Sequence, residues 1–178
     1  MTDLKLRPFD AAALYTALDA RRAELGLSWR QVANQLWNLS ADLNDRRQDH
    51  PISPSTLTKM GKNPRTSCQH ALFMLRWLDR TPESFLEGAT DDDPGVALPR
   101  AGPDRRLRWS LKFLYNTMDE KRRREGLTWP QLAASLGCSA NRLTALRTAK
   151  FATDMDLAMR IVQWIDRHAA EFVYLATW

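Results

Sequence analysis

Five side chains along one short stretch could hydrogen-bond base edges or phosphates: Asn141, Arg142, Thr144, Arg147 and Lys150, with the small Ala145 among them. An amide or a guanidinium offers two bonds in a fixed geometry, which tells bases apart, whereas a lysine offers phosphate a point charge. Nothing comparable suggests bond-making chemistry. His50, His70 and His168 are scattered, and no histidine, cysteine and aspartate cluster has metal-ligand spacing. There is no glycine-rich phosphate loop, nucleophile elbow or paired carboxylate set. The sequence implies a binding protein, not an enzyme, with no cofactor, metal or small-molecule ligand indicated.

Those side chains need a rigid support, and Thr128 to Lys150, TWPQLAASLGCSANRLTALRTAK, supplies one. Thr128 and Gln131 form a capping box, predicting a helix over Trp129 to Leu136. Gly137 can take the left-handed conformation that stops a helix, and Cys138 and Ser139 follow as turn and next N-cap. A second helix is expected from Ala140 to Arg147. Leu132, Ala133, Leu136, Leu143 and Leu146 form its apolar set, with Ala133 small where two crossing helices come closest. Gln131, Ser139, Asn141, Arg142, Thr144, Ala145, Arg147 and Lys150 are then the candidate contact residues.

This stretch resembles the helix-turn-helix of the XRE, or Cro/C1-repressor-like, family. Ala133 falls at the small position of the first helix, Gly137 at the turn, and Leu143 and Leu146 at core positions of the recognition helix. Many members carry a phosphate-touching glutamine where this chain has Trp129, and Gln131 is the nearest replacement. The resemblance implies a lambda-repressor-like bundle and a prokaryotic regulator of transcription that binds double-stranded DNA.

The unit occurs twice. A shift of 100 positions superposes Leu14, Tyr15, Asp19, Arg22, Gly26, Trp29, Gln31, Ala33 and Leu36 on their counterparts from Leu114 to Leu136. The shift is 86 for Ser53, Leu57 and Thr58, and 87 for Thr66, Ala71, Trp77 and Phe85, which match Thr153, Ala158, Trp164 and Phe172. Two copies are too few for a solenoid. The fold expected is all-α, two tandem five-helix bundles forming a pseudo-dimer, over 1–87 and 105–178. Between them 88–104, rich in glycine, proline and aspartate, is the linker.

In the first copy, Ala11, Leu14, Leu18 and Leu25 mark a helix ended by Gly26, and Ser28 with Gln31 caps the next. Thr66 or Ser67 opens a fourth helix, with Ala71, Leu72, Leu75 and Leu78 inward, and Thr81-Pro82 starts a short fifth. Trp77, Phe85, Trp164 and Phe172 are core positions, in preference to base-stacking platforms.

The copies differ by a 14-residue insertion at about 38–51. Val32, Leu36, Leu39 and Leu43 keep helical spacing, so the second helix should run on for about two turns before a polar loop from Asn44 to Pro51. Leu39 and Leu43 then need cover from the other copy or a second chain, which makes a homo-oligomer through the insertion an open expectation. Arg46 and Arg47 suit a phosphate clamp or a solvated loop. The first recognition helix is expected over Pro54 to Met60, capped by Ser53. Ser53, Ser55, Thr56, Thr58, Lys59 and Lys62 are its candidate contacts.

The net charge is +5, and the excess is uneven: residues 94–178 hold 14 Lys and Arg against 8 Asp and Glu, residues 1–90 hold 12 against 10. A basic second copy favours an anionic partner. Lys121 to Arg124 also suit a helix C-terminus, where cations are favoured without any ligand, and Arg105, Arg106 and Arg108 leave the same choice open. Cys68 and Cys138 are too few for a disulfide framework and are expected reduced. No apolar run is long enough to span a bilayer, and no signal segment precedes Asp10, so a cytoplasmic, nucleoid-associated protein is expected and no membrane partner. The competing expectation is a protein-interaction adaptor on the same fold, antitoxin-like or anti-repressor, with no DNA binding of its own.

Overall fold

A computed structural model describes residues 4–149 and 152–178, and they are mainly helical. The first half runs α1 (Ala11–Glu24), α2 (Trp29–Asn38), α3 (Ala41–Arg47), α4 (Pro54–Lys59) and α5 (Cys68–Leu78), then a single 3₁₀ turn at Glu83–Phe85. The second half runs β1 (Arg106–Trp109), α6 (Leu111–Arg124), α7 (Trp129–Leu136), α8 (Ala140–Thr144) and α9 (Met155–Trp164), and ends in β2 (Val173–Ala176). One 3₁₀ turn, Ala145–Arg147, follows α8 and another, Ala169–Phe172, precedes β2.

The two strands pair antiparallel, from Arg106 opposite Ala176 to Trp109 opposite Val173, and were not expected. The first half holds the same pairing in miniature. A single bridge joins Phe9 to Leu86, and Asp10 N–H donates to Phe85 O at 2.8 Å as Ser110 N–H donates to Phe172 O at 2.7 Å. Arg106 and Arg108, readable as solvated cations, are buried in β1. Arg106 reaches Asn44 and Asp49 in the insertion, and Arg108 donates to Trp178 O at 2.5 Å and stacks on its ring. Distant partners, invisible in a local pattern, make the burial tolerable.

The halves exchange contacts reciprocally. Ser67 bridges Asp154, its own counterpart in the duplication; around it Cys68 N–H donates to Thr153 O at 2.7 Å and Met155 N–H to Thr66 O at 3.0 Å. The chain entering each half crosses the last α-helix of the other, α9 or α5. Arg7 N–H donates to Gln163 Oε1 and Gln163 Nε2 returns a bond to Arg7 O, both at 2.9 Å. On the opposite side Gln69 Nε2 donates to Leu107 O at 2.7 Å and Trp109 Nε1 to Cys68 O at 3.0 Å. One hydrophobic cluster therefore runs through both halves. It also explains why α5 is buried on nearly every side, with Phe73 and Met74 packed as well as Ala71, Leu72 and Leu75.

The second helix does not run on as its apolar spacing suggested. It ends at Asn38, Ser40 leaves helical geometry at φ −127°, and α3 starts afresh at Ala41. The break has a partner: the Arg76 guanidinium takes Leu39 O at 2.6 Å and Ser40 Oγ at 2.7 Å, and Ala101 O in the connecting segment at 2.9 Å. Carbonyls freed from the helix thus find a cation. Asn44, expected in a polar loop, is 1% exposed inside α3, and Leu43 is 2% exposed with its N–H on Pro103 O. Residues of the insertion and of 94–104 pack on each other, with Leu98 and Ala101 against the core. Leu25 is exposed, not inward as expected, because α1 ends at Glu24 and Gly26 turns the chain away.

Both capping boxes form. Gln131 N–H donates to Thr128 Oγ1 at 3.3 Å and Thr128 N–H to Gln131 Oε1 at 2.8 Å, and Ser28 with Gln31 does the same at 3.2 and 2.8 Å. Thr128→Ala removes one half of the box and should cost about 1 kcal/mol in urea unfolding, while Thr128→Ser should stay within about 0.5 kcal/mol of wild type. Equal losses from both would mean that the methyl, not the hydroxyl, matters.

Candidate nucleic-acid interface

Each half builds the same support beneath its short helix. Tyr115 stacks on Trp129 with ring centroids 5.6 Å apart, and the Arg122 guanidinium lies 4.3 Å over the Trp129 ring. Arg122 also pairs with Asp119 at 2.6 Å and donates to Leu127 O at 2.6 Å, closing the α6–α7 turn. Tyr15, Trp29, Arg22, Asp19 and Leu27 repeat the arrangement in the first half. Trp129 is thus a structural residue where a phosphate contact was looked for, and Gln131 Oε1 is committed to the cap. The Lys121–Arg124 run is also largely structural. Lys121 Nζ donates to Trp164 O at 2.5 Å and Arg123 pairs with Asp119 at 2.9 Å.

Above that support, Leu132, Ala133 and Leu136 of α7 and Leu143 and Leu146 beyond the turn are buried. Gly137 makes the turn at φ +68°, where an added Cβ would also meet Arg160 Nη1 at 3.0 Å. The second helix is shorter than expected: α8 stops at Thr144 and Ala145–Arg147 is 3₁₀. Asn141, Arg142, Ala145 and Arg147 are exposed as expected, and Thr144 is half-buried with its hydroxyl on Ala140 O. Ser139 occupies the N-cap position but makes no side-chain cap bond, so its hydroxyl is not spent on the helix. Among the described residues, no hydrogen bond or ion pair engages the side chains of Asn141, Arg142 or Arg147. Lys150 lies outside the described residues. A shallow groove bounded by Tyr115, Trp129, Asn141 and Arg147 runs along this face.

The first half presents a different chemistry on the matching face. Ser53 accepts from Thr56 N–H, and its hydroxyl lies 2.9 Å from Ser55 Oγ and 3.0 Å from Thr56 Oγ1. Thr58 donates to Ser55 O, so the hydroxyls hold one another. Lys59 and Lys62 are exposed. Gly61 takes the place of Arg147 because an added Cβ would stand 2.9 Å from the Tyr15 ring. Arg46 donates to Asp42 O and Arg47 pairs loosely with Asp49 at 3.8 Å, so the local contacts of both lie within the insertion.

Both faces carry cations without acids. The segments Pro54–Lys59 and Ala140–Arg147 contain no Asp or Glu, and exposed Lys59, Lys62, Arg142 and Arg147 lie along them or just beyond. Arg65, in the loop after α4, joins them; its 3.7 Å contact with Asp154 leaves the side chain 69% exposed. Helical periodicity does not single it out, because it lies outside any helix. Pro64 and Arg65, in the loop after α4, line the same cleft as Arg142 of α8. Cys138 sits in that turn; burial pushes its thiol above the ordinary range, although Arg142 and Arg160 pull the other way. Burial pushes Cys68 up to about 11, so both cysteines are thiols at neutral pH.

Among the described residues there is no group of three or more His, Cys, Asp or Glu placed to hold a metal, and no helix long and apolar enough to cross a membrane. No protein-family model, no curated protein and no solved structure matches the chain.

Proposed function

We propose that this chain binds double-stranded DNA in a sequence-specific way and regulates transcription, using two XRE-like helix-turn-helix units joined as a covalent pseudo-dimer. The units are 1–87 and 105–178, with 88–104 as the connection, and α4 and α8 with the residues just beyond them are the recognition segments. The observation that carries this reading is the reciprocal exchange at Ser67 and Asp154 between two halves whose short helical segments, Pro54–Lys59 and Ala140–Arg147, carry cations and no acids. Two-fold protein symmetry matches two half-sites of a duplex, about 34 Å apart on successive major-groove turns. Because the two faces are chemically unlike, the site should be an imperfect inverted repeat with unlike halves.

Roles follow from the chemistry. Arg142, near the start of α8 and without a hydrogen-bond or ion-pair partner among the described residues, suits bidentate bonds to guanine, worth about 1 to 3 kcal/mol of discrimination. Arg147 and Lys150, with Lys59 and Lys62, suit phosphate. Arg142→Ala should therefore relax sequence preference in one half-site. Arg147→Ala should weaken all duplexes alike and flatten the salt dependence by about one unit of slope. Lys59→Ala with Lys62→Ala should do less harm than the double change in the second unit, since more of the positive charge lies there. A fluorescence-anisotropy titration over selected and scrambled duplexes measures this. If Arg142→Ala lowers affinity for both duplexes equally, the base-reading role is wrong.

A further inference from the structure

A cleft of about 450 Å³ lies beside the Ser67–Asp154 crossing, between the entering arm at Phe9, the Gly137–Cys138 turn, the start of α9 and the loop after α4. Its volume is in the range of small-molecule sites. Three arginines line it, Arg65, Arg142 and Arg160, against two aspartates, Asp154 and Asp156. Both aspartates are committed. Asp156 accepts from Phe9 N–H at 2.8 Å and from Arg160 at 2.9 Å, and Asp154 caps α9 by accepting from Asp156 N–H at 3.0 Å. Arg142 has no partner among the described residues, and Arg65 only the long contact to Asp154. Positive charge is left over at the rim of a concave, partly apolar space.

The duplication supplies a control. The two-fold related position, where the other arm crosses α5, is filled. Phe9 becomes Trp109, Ala11 becomes Leu111 and Arg160 becomes Phe73, at 4%, 3% and 8% exposure, while Asp156 becomes Gln69. One fold thus carries the same crossing in two versions, closed by aromatic mass on one side and open and charged on the other. An open site with half-buried charges costs stability that the closed version shows to be avoidable. We propose that the open cleft is a binding site for a small organic oxyanion, a carboxylate or phosphate ester with an apolar body. Arg142 and Arg65 take the anion and the apolar part lies against Phe9 and Leu157.

The site stands independently of DNA binding; its regulatory consequence rests on the proposed function. An occupant that engages Arg142 withdraws that guanidinium from a base, so ligand and duplex should oppose each other, and by linkage to the same factor.

Phenyl phosphate is a suitable probe, titrated into the full chain by calorimetry at constant ionic strength, with inorganic phosphate and sodium chloride alongside. The expected result is saturable one-to-one binding, tighter for phenyl phosphate than for inorganic phosphate. Arg142→Gln should weaken it about tenfold or more, the loss expected for a charge-assisted hydrogen bond. Arg160→Phe, which copies the closed side, should abolish it. Should that variant fold poorly, Arg65→Gln alters only an exposed side chain and must also weaken binding. Lys59→Gln with Lys62→Gln should leave it unchanged. Unsaturable binding, or equal loss from the Lys59 and Lys62 changes, overturns the site, and equal affinity for the two phosphates overturns its apolar part. Saturable binding by a protein that ignores every duplex would keep the site and reject the DNA reading.

Discussion

Asp49→Ala should destabilise the protein by about 3 kcal/mol, a large loss for one half-exposed side chain. The reason is Arg106, only 3% exposed, whose Nη1 lies 3.0 Å from Asp49 Oδ2 and whose Nη2 lies 2.6 Å from Asn44 Oδ1. Among the described residues its Nε has no hydrogen-bond partner, and Asp49 is the carboxylate that pairs with the guanidinium. Removing one member of a fully buried pair costs about 3 to 5 kcal/mol, and the 35% exposure of the Asp49 side chain puts the expectation at the low end. Replacing the group by apolar or neutral side chains of similar size, Arg106→Met with Asn44→Leu and Asp49→Asn, should recover most of the loss, since no charge then remains to be satisfied. Urea unfolding of the single and triple variants decides it. A single variant within about 0.5 kcal/mol of wild type would mean that the Arg106 charge is solvated after all.

Trp109→Ala should cost about 3 to 5 kcal/mol, the usual loss for a large buried aromatic, and should do so in one cooperative step. Trp109 ends β1, is 4% exposed, and donates to Cys68 O at 3.0 Å in the other half, so it belongs to both halves at once. Because the cluster is continuous, loosening this residue should lower the stability of α5 and of α6 together. Trp109→Phe keeps much of the packing and loses the bond to the Cys68 carbonyl, which retains its partner within α5, so about 0.5 to 1.5 kcal/mol is expected for that alone. Two separate transitions, with only the later half affected, would contradict the shared core.

What the sequence made legible was local. Ser28, Thr128, Gly137 and the leucines around them act within a turn or two, so spacing was enough to place the start of α2, and α7 and α8 with ends within a residue or three. Duplicated positions such as Trp29 and Trp129 do lie in like surroundings, each stacked on a tyrosine under an arginine. The failures share a cause. Arg76 breaks the helix at Ser40, Asn44 and Asp49 draw Arg106 inward, and β1 finds β2 across the second half, all contacts between residues more than thirty positions apart. Leu39 and Leu43 fit a longer helix by period, but the freed Leu39 carbonyl has a guanidinium to accept from, and that outweighs one further helical bond. Arg65 and the open cleft were likewise out of reach, because both depend on how the two halves meet.

The most direct test of the central proposal is the affinity of the purified chain for a random-sequence duplex pool across salt, followed by selection of the bound fraction. A protein that lays α4 and α8 in successive major grooves should show log affinity falling linearly with log salt. The selected sequences should share an imperfect inverted repeat with half-sites about one helical turn apart. No salt-dependent affinity for any duplex, from a protein that purifies free of nucleic acid at low salt, would contradict DNA binding and leave the protein-interaction adaptor in its place.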